Sequence, residues 1–311
     1  MTTSASLTPR SRLADFIGMT KPRIAVLVLF VTAAGMALAN PGGVDLLQMV
    51  HTLIGTFLVA GSANVLNQVI ERHSDKLMRR TENRPLPSGR LSTAEVLLFG
   101  LGLGMGGLVY MAMTLDHLLA VGVAAFTLVS YVLIYTPSKR YTTLNTLIGA
   151  VPGAMPPIIG WTAAGGQLDA AAGLVFLILF LWQVPHFLAI AWMYREDYSR
   201  AGLRMLPSVD PDGLLTARQM VGWCVTLVAI SIYPVLSLRG NWAASFTGSV
   251  YGIGALLVGV AFLTATLMFW KEKTHARAKL VMKVSLLYLP AIMLLMLAET
   301  WLKSAAAAVV P

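Results

Sequence analysis

The sequence predicts an all-α protein, a polytopic membrane helical bundle with nine transmembrane helices. Three observations predict it. Hydrophobic residues make up 57% of the 311 and charged residues only 12%, where a soluble domain carries about a quarter. Mean hydropathy is +0.72. Apolar runs of about 17–25 residues, long enough to cross ~30 Å of hydrocarbon as a helix, recur along the whole chain. They lack the ten-residue alternation of barrel strands, so backbone groups in lipid must be satisfied within helices.

In order, the spans fall at 24–40, 46–68, 94–113, 117–136, 144–163, 171–193, 219–237, 248–270 and 281–301, in a single membrane domain over 1–311. The first also reads as a signal peptide, with basic residues before it and Ala37-Leu-Ala39 after; the further spans that follow it favour a membrane helix. The fifth holds Gly149, Pro152, Gly153, Pro156, Pro157 and Gly160. It is expected to be kinked or broken, which is tolerated only where protein or a cavity surrounds the backbone. The single cysteine, Cys224, lies in the seventh span, excludes an internal disulfide and reads as a small buried hydrophobe.

The net charge is +9. On a soluble chain that would suggest nucleic acid; here its placement points to lipid, and no nucleic-acid partner is expected. With nine spans, 21 of the 23 Lys and Arg fall on one side, with only Arg239 and Lys303 on the other. The positive-inside rule puts the N-terminus in the cytoplasm and the C-terminus outside. Two long polar loops, 69–93 and 194–218, then face the cytoplasm. They share a short repeat, Arg84-Pro-Leu-Pro-Ser88 and Arg204-Met-Leu-Pro-Ser208. Chance explains it as well as two related halves do.

The first loop carries the most chemistry. Asn67, Glu71 and Asp75 recur at i, i+4 and i+8, so a helix prolonging the second span puts them on one face. Two carboxylates and an amide oxygen suit Mg2+, which takes few protein ligands and commonly bridges to phosphates. Arg79, Arg80 and Arg84 follow, and guanidinium groups bind phosphate in a bidentate way. A solvated loop whose arginines only orient the chain is the plainer alternative. A carboxylate as close to a span as Glu71 is costly unless it faces a cavity.

The second loop opens with Arg195-Glu196-Asp197-Tyr198. It is either a helix-end charge cluster or the other side of a cation and phosphate clamp. Lys139 and Arg140 end the fourth span and either reach the same phosphates or anchor that helix. His186, beside Pro185, lies within the sixth span. An intramembrane histidine suggests a site, and a packing role is its alternative.

At this point the residues resemble the UbiA-type intramembrane prenyltransferases. The stretch from Asn67 through Glu71 and Asp75 to Met78-Arg-Arg-Thr81 and Arg84-Pro-Leu86 is similar to their first signature. Their usual pattern has an aspartate where Glu71 stands, and their second pair of aspartates is not intact here; Glu196 and Asp197 stand nearest to it. Further stretches resemble the heme-prenylating branch: Tyr135 to Arg140, Gly153 to Trp161, Trp182 to Phe187, and Asp197 to Pro207. The resemblance implies a UbiA-like fold in the bacterial inner membrane. It implies transfer of the farnesyl group of farnesyl diphosphate to the 2-vinyl group of heme B, with water added, giving heme O and diphosphate. It implies Mg2+ on Asn67, Glu71 and Asp75, with Arg79, Arg80 and Arg84 on the diphosphate. Lys139, Arg140, Arg195, Glu196, Asp197 and Tyr198 would bind substrate, and His186 would contact heme iron or a propionate. A heme A synthase or a cytochrome oxidase assembly factor is implied as a partner. An enzyme with an aromatic acceptor and a heme or lipid transporter are the competing readings.

Overall fold

A computed structural model describes residues 11–236 and 247–309. Arg10 and Arg239, counted in the charge asymmetry, lie outside them, as does the last residue of the expected seventh span. Among the described residues there are no strands. The helices are α1 Arg12–Met19, α2 Pro22–Ala39, α3 Leu46–Asp75, α4 Thr93–Thr114 and α5 Leu118–Val129. A π-helical turn, Ser130–Tyr135, carries α5 into the short α6 Thr136–Ser138. Then come α7 Asn145–Gly153, α8 Pro156–Ala163, α9 Ala170–Met193, α10 Arg195–Arg200, α11 Leu214–Leu236, α12 Ser249–Glu272 and α13 His275–Val309.

Eight helical segments of the described residues are long and apolar enough to cross a bilayer. The passage expected over 144–163 is not one helix but the pair α7 and α8, broken at Ala154–Met155 where Pro156 opens α8. Proline lacks the donor that would continue α7, so it starts a new helix instead. The prolines inside α9, α11 and α13 do not end those helices.

The long helices follow one another round the bundle, and α13 closes it on α2. The most buried of them is α9, which packs on α7, α11 and α13. The pair α2 and α8 packs closely because Gly160 presents no side chain; a Cβ there would lie 1.9 Å from the Thr32 carbonyl oxygen. Two features set up the site. Helix α3 runs on to Asp75, about two turns beyond Gln68, where the expected second span ends. The start of α2 and the ends of α3, α6 and α9 meet around one cavity.

Gly160→Ala should push α8 off α2 and lower stability by about 1–3 kcal/mol. Gly106→Ala, on an open face of α4, should leave it unchanged or higher. Thermal unfolding of the detergent-purified variants checks this; equal melting of Gly160→Ala and the parent protein would sink the packing argument.

Candidate active site

The cavity has a volume of about 270 Å³. Asn67, Glu71 and Asp75 all line it, as one face of α3 requires. Each is buried. Charges in such a place need partners. Lys139 Nζ donates to Glu71 Oε1 at 2.8 Å, and Arg84 donates to Asp75 Oδ2 at 2.8 Å. Thr81 Oγ1 donates to the Asp75 carbonyl at 2.9 Å, which folds the loop back so that Arg84 can reach. Asn67 donates to Thr136 Oγ1 at 3.1 Å through its amide nitrogen, which leaves Oδ1 as the atom that could take a ligand. Asp75 Oδ1 is buried with no hydrogen-bond partner.

The π-helical turn positions the opposite wall. It widens the helix so that Tyr131 and Tyr135 both face the cavity, a device common at functional sites. Lys139 Nζ sits 4.5 Å from the centre of the Tyr135 ring. Gly149 of α7 makes room for that ring; a Cβ there would lie 2.4 Å from Tyr135. Burial works against the charge on Lys139, but the Glu71 carboxylate outweighs it and holds the ammonium well above the ordinary lysine range.

From the second loop, α10 supplies a brace. The Arg80 backbone N–H donates to Asp197 Oδ2 at 3.4 Å, and its guanidinium donates to Tyr198 Oη at 3.3 Å. Arg80 also lies over the Tyr194 ring, 4.7 Å from its centre. Asp197 is held by Arg200 at 2.9 Å.

The structure thus brings Asn67, Glu71, Asp75, Arg80, Arg84, Lys139 and Tyr198 together on one cavity, with Asp197 just behind. Other expected residues lie off it. Arg79 and Glu196 are exposed. Arg140 donates to Ser74 Oγ at 3.3 Å, and Arg195 to the Trp192 carbonyl at 3.0 Å. His186 faces away. On α9, Gln183, Phe187 and Ile190 form the face toward the cavity, while Trp182 and His186 turn to α13. His186 Nδ1 lies 2.7 Å from Ser285 Oγ, and its ring stacks on Trp182. It ties α9 to α13 and does not reach the cavity. The repeated pentapeptide puts Arg84 on the cavity but not Arg204, whose place is taken by Leu203 and Met205.

Sequence reasoning missed Lys21. It lines the cavity from the α1–α2 junction in the left-handed region, φ 53° and ψ 60°, a conformation that costs about 1–2 kcal/mol for a residue with a Cβ. Its signal was the Lys-Pro dipeptide breaking an apolar helix. With Lys21, four cations, including Arg80, Arg84 and Lys139, face the two carboxylates Glu71 and Asp75. Such a cavity attracts a polyanion. No group of three or more His, Cys, Asp or Glu among the described residues could hold a metal. Two carboxylates and an amide are nevertheless sufficient for Mg2+, which keeps waters and phosphates in its shell, and the orphaned Asp75 Oδ1 suits it.

Residues 28–287 match the model of the UbiA prenyltransferase family. The chain superposes on the structure of digeranylgeranylglyceryl phosphate synthase with a TM-score of 0.75 at 19% identity, over 93% of this chain and 98% of that one. For a UbiA homolog from Archaeoglobus fulgidus bound to DMAPP and Mg2+, the TM-score is 0.60 at 13% identity, over 92% and 99%. The chain belongs to the UbiA prenyltransferase family. Within it, the chain is similar to proteins named protoheme IX farnesyltransferase. That of Solibacter usitatus is 46% identical, over 92% of this chain and 98% of its own. That of Salinibacter ruber is 42% identical, over 93% and 99%.

Lys139→Met should leave Glu71 buried and unpaired, at about 3–5 kcal/mol of stability. Adding Glu71→Gln should recover most of that loss, since both charges then leave together. Thermal unfolding of the single and double variants measures the coupling; additive effects would show that the pair is not a unit.

Proposed function

We propose that the protein transfers the farnesyl group of farnesyl diphosphate to the 2-vinyl group of heme B, with addition of water, giving heme O and diphosphate. One observation carries this reading: an oxygen-ligand row, Asn67, Glu71 and Asp75, shares a buried cavity with Lys21, Arg80, Arg84 and Lys139. The names of the chain's relatives supply the acceptor.

Asn67, Glu71 and Asp75 would hold Mg2+. When bound, it supplies Lewis-acid neutralisation of the departing diphosphate. The chain's own side chains do the rest. On substrate binding, Arg84 and Lys139 exchange their carboxylate partners for phosphate oxygens. Lys21 and Arg80 add to the positive field as the allylic C–O bond breaks and its electron pair leaves with diphosphate. Ile24, Phe187 and Ile190 offer the farnesyl chain an apolar wall. The vinyl π electrons then form the new C–C bond. Water adds to the resulting cation and releases a proton to solvent, so no protein base is required. Loops 69–93 and 194–218 act on the cytoplasmic face of the bacterial inner membrane, with the N-terminus on that side. The product's onward use makes a heme A synthase or a cytochrome oxidase assembly factor the natural partner.

Membranes containing the protein, given farnesyl diphosphate, Mg2+ and heme B, should yield heme O by mass spectrometry. Asp75→Ala should cut the rate at least ~100-fold by removing one site ligand and stranding Arg84. Prenylation of an aromatic acceptor in place of heme B would overturn the assignment. Substrate movement across the membrane that survives Asp75→Ala, with no prenyl transfer by either protein, would favour a carrier.

A further inference from the structure

A second cavity, of about 350 Å³, adjoins the first. Lys21, Arg80 and Arg84 line both, so these three cations form a common wall. The second cavity adds Arg90, Asn83 and Asp15. Asp15, buried on α1, accepts from Arg90 Nε at 2.8 Å and from its terminal nitrogen at 3.2 Å. That pair is neutral within itself, so the cations of the wall set the sign of the cavity. Its rim includes Asn83 and Arg90, both polar and exposed, so it opens toward water on the side of the loop after α3.

The two cavities differ in what they can accommodate. The first has an apolar wall for a hydrocarbon chain; the second, though not smaller, takes seven of its eleven lining residues from charged and amide side chains. A highly charged leaving group cannot depart through an apolar wall without losing its hydration. A row of arginines and a lysine leading to water gives it successive charge-assisted partners. We infer that the second cavity is an exit site for inorganic diphosphate, in which Lys21, Arg80 and Arg84 pass the anion out of the reaction cavity and Arg90 receives it. The inference rests on the diphosphate-dependent reading above and adds a separate anion site to it. It also gives α1 a task. This short helix forms one side of the exit, and Asp15 holds Arg90 in place; Arg90 also donates to Ser88 Oγ at 2.8 Å and to the Asn83 carbonyl at 3.1 Å, contacts it would exchange for oxygens of the anion.

Calorimetric titration of the full-length protein in nanodiscs tests this, with inorganic diphosphate and farnesyl diphosphate as separate probes. Arg90→Gln should weaken inorganic diphosphate about tenfold and farnesyl diphosphate far less. Asn83→Asp puts a negative charge in the same cavity with the Asp15–Arg90 pair intact, and should weaken inorganic diphosphate in the same selective way. Arg80→Gln, in the shared wall, should weaken both probes. Inorganic diphosphate binding unchanged in both Arg90→Gln and Asn83→Asp would overturn the exit site, as would equal weakening of the two probes by Arg90→Gln. Weakened heme B binding with diphosphate binding unchanged would overturn it too, giving the cavity to the carboxylates of the acceptor. A parent protein that binds no farnesyl diphosphate at all would sink the underlying reading, an outcome distinct from any of these.

Discussion

Two carboxylates one helical turn apart, Glu71 and Asp75, are buried at the end of an apolar helix. Neither can stay charged there without a cation brought from elsewhere in the chain. The surrounding structure follows from that need. The loop after α3 doubles back so that Arg84 reaches Asp75. The π-helical turn and α6 deliver Lys139 to Glu71. The α10 segment fixes Arg80 beside them through Asp197 and Tyr198. Acids on one helix thereby organise residues from three other parts of the chain. The resulting pairs are exchangeable, since each partner can be given to a phosphate or a cation without leaving the other as an isolated charge.

The basic residues then divide by task. Lys21, Arg80, Arg84 and Lys139 face the reaction cavity, and Arg90 faces its neighbour. Arg23, Lys76 and Arg79 are exposed near the same end, where their charge favours an anionic membrane surface. Arg277 is engaged locally with Glu272. Charge that favours a membrane surface and charge suited to a polyanion thus accumulate at one end, and each makes the other cheaper to keep: a diphosphate site belongs at the aqueous edge, where positive charge is already tolerated.

Much of this was readable in the sequence. The apolar runs gave the bundle, and the spacing of Asn67, Glu71 and Asp75 gave a shared face because a helix has a fixed period. The arginines were only partly resolved. Arg80 and Arg84 reach the cavity while Arg79, next to Arg80, points to solvent, because irregular loop backbone carries no periodic signal. His186 misled for a different reason. Its chemistry suggested a ligand, but its angular position on α9 turns it to Ser285, whereas Gln183, three residues earlier, faces the cavity. That distinction needs the rotation of α9 in the bundle, which no local pattern within one buried, all-round apolar helix reveals. Lys21 was counted only among the topology signals, since its entry into the cavity depends on a single left-handed residue.

Three departures from regular helix therefore carry particular weight: the left-handed Lys21, the π-helical turn at Ser130–Tyr135, and the break between α7 and α8. All three border the same cavity: Lys21, Tyr131 and Tyr135 line it, as does Gly153, the last residue before the break. In an apolar medium, irregular backbone survives only where protein groups or a cavity satisfy it. The cavity permits these departures, and they in turn supply what straight helices could not. A regular helix through 130–135 would rotate Lys139 away from Glu71. An unbroken helix through 145–163 would carry α7 and α8 along one line, so that Gly149 could not seat against Tyr135 while Gly160 seats against α2. A helix running straight from α1 into α2 would withdraw Lys21 from between the two cavities. The carboxylate row would remain in such a bundle, with Arg84 still on Asp75, but Glu71 would lose Lys139, and a buried acid without its cation favours the neutral form over metal or phosphate chemistry.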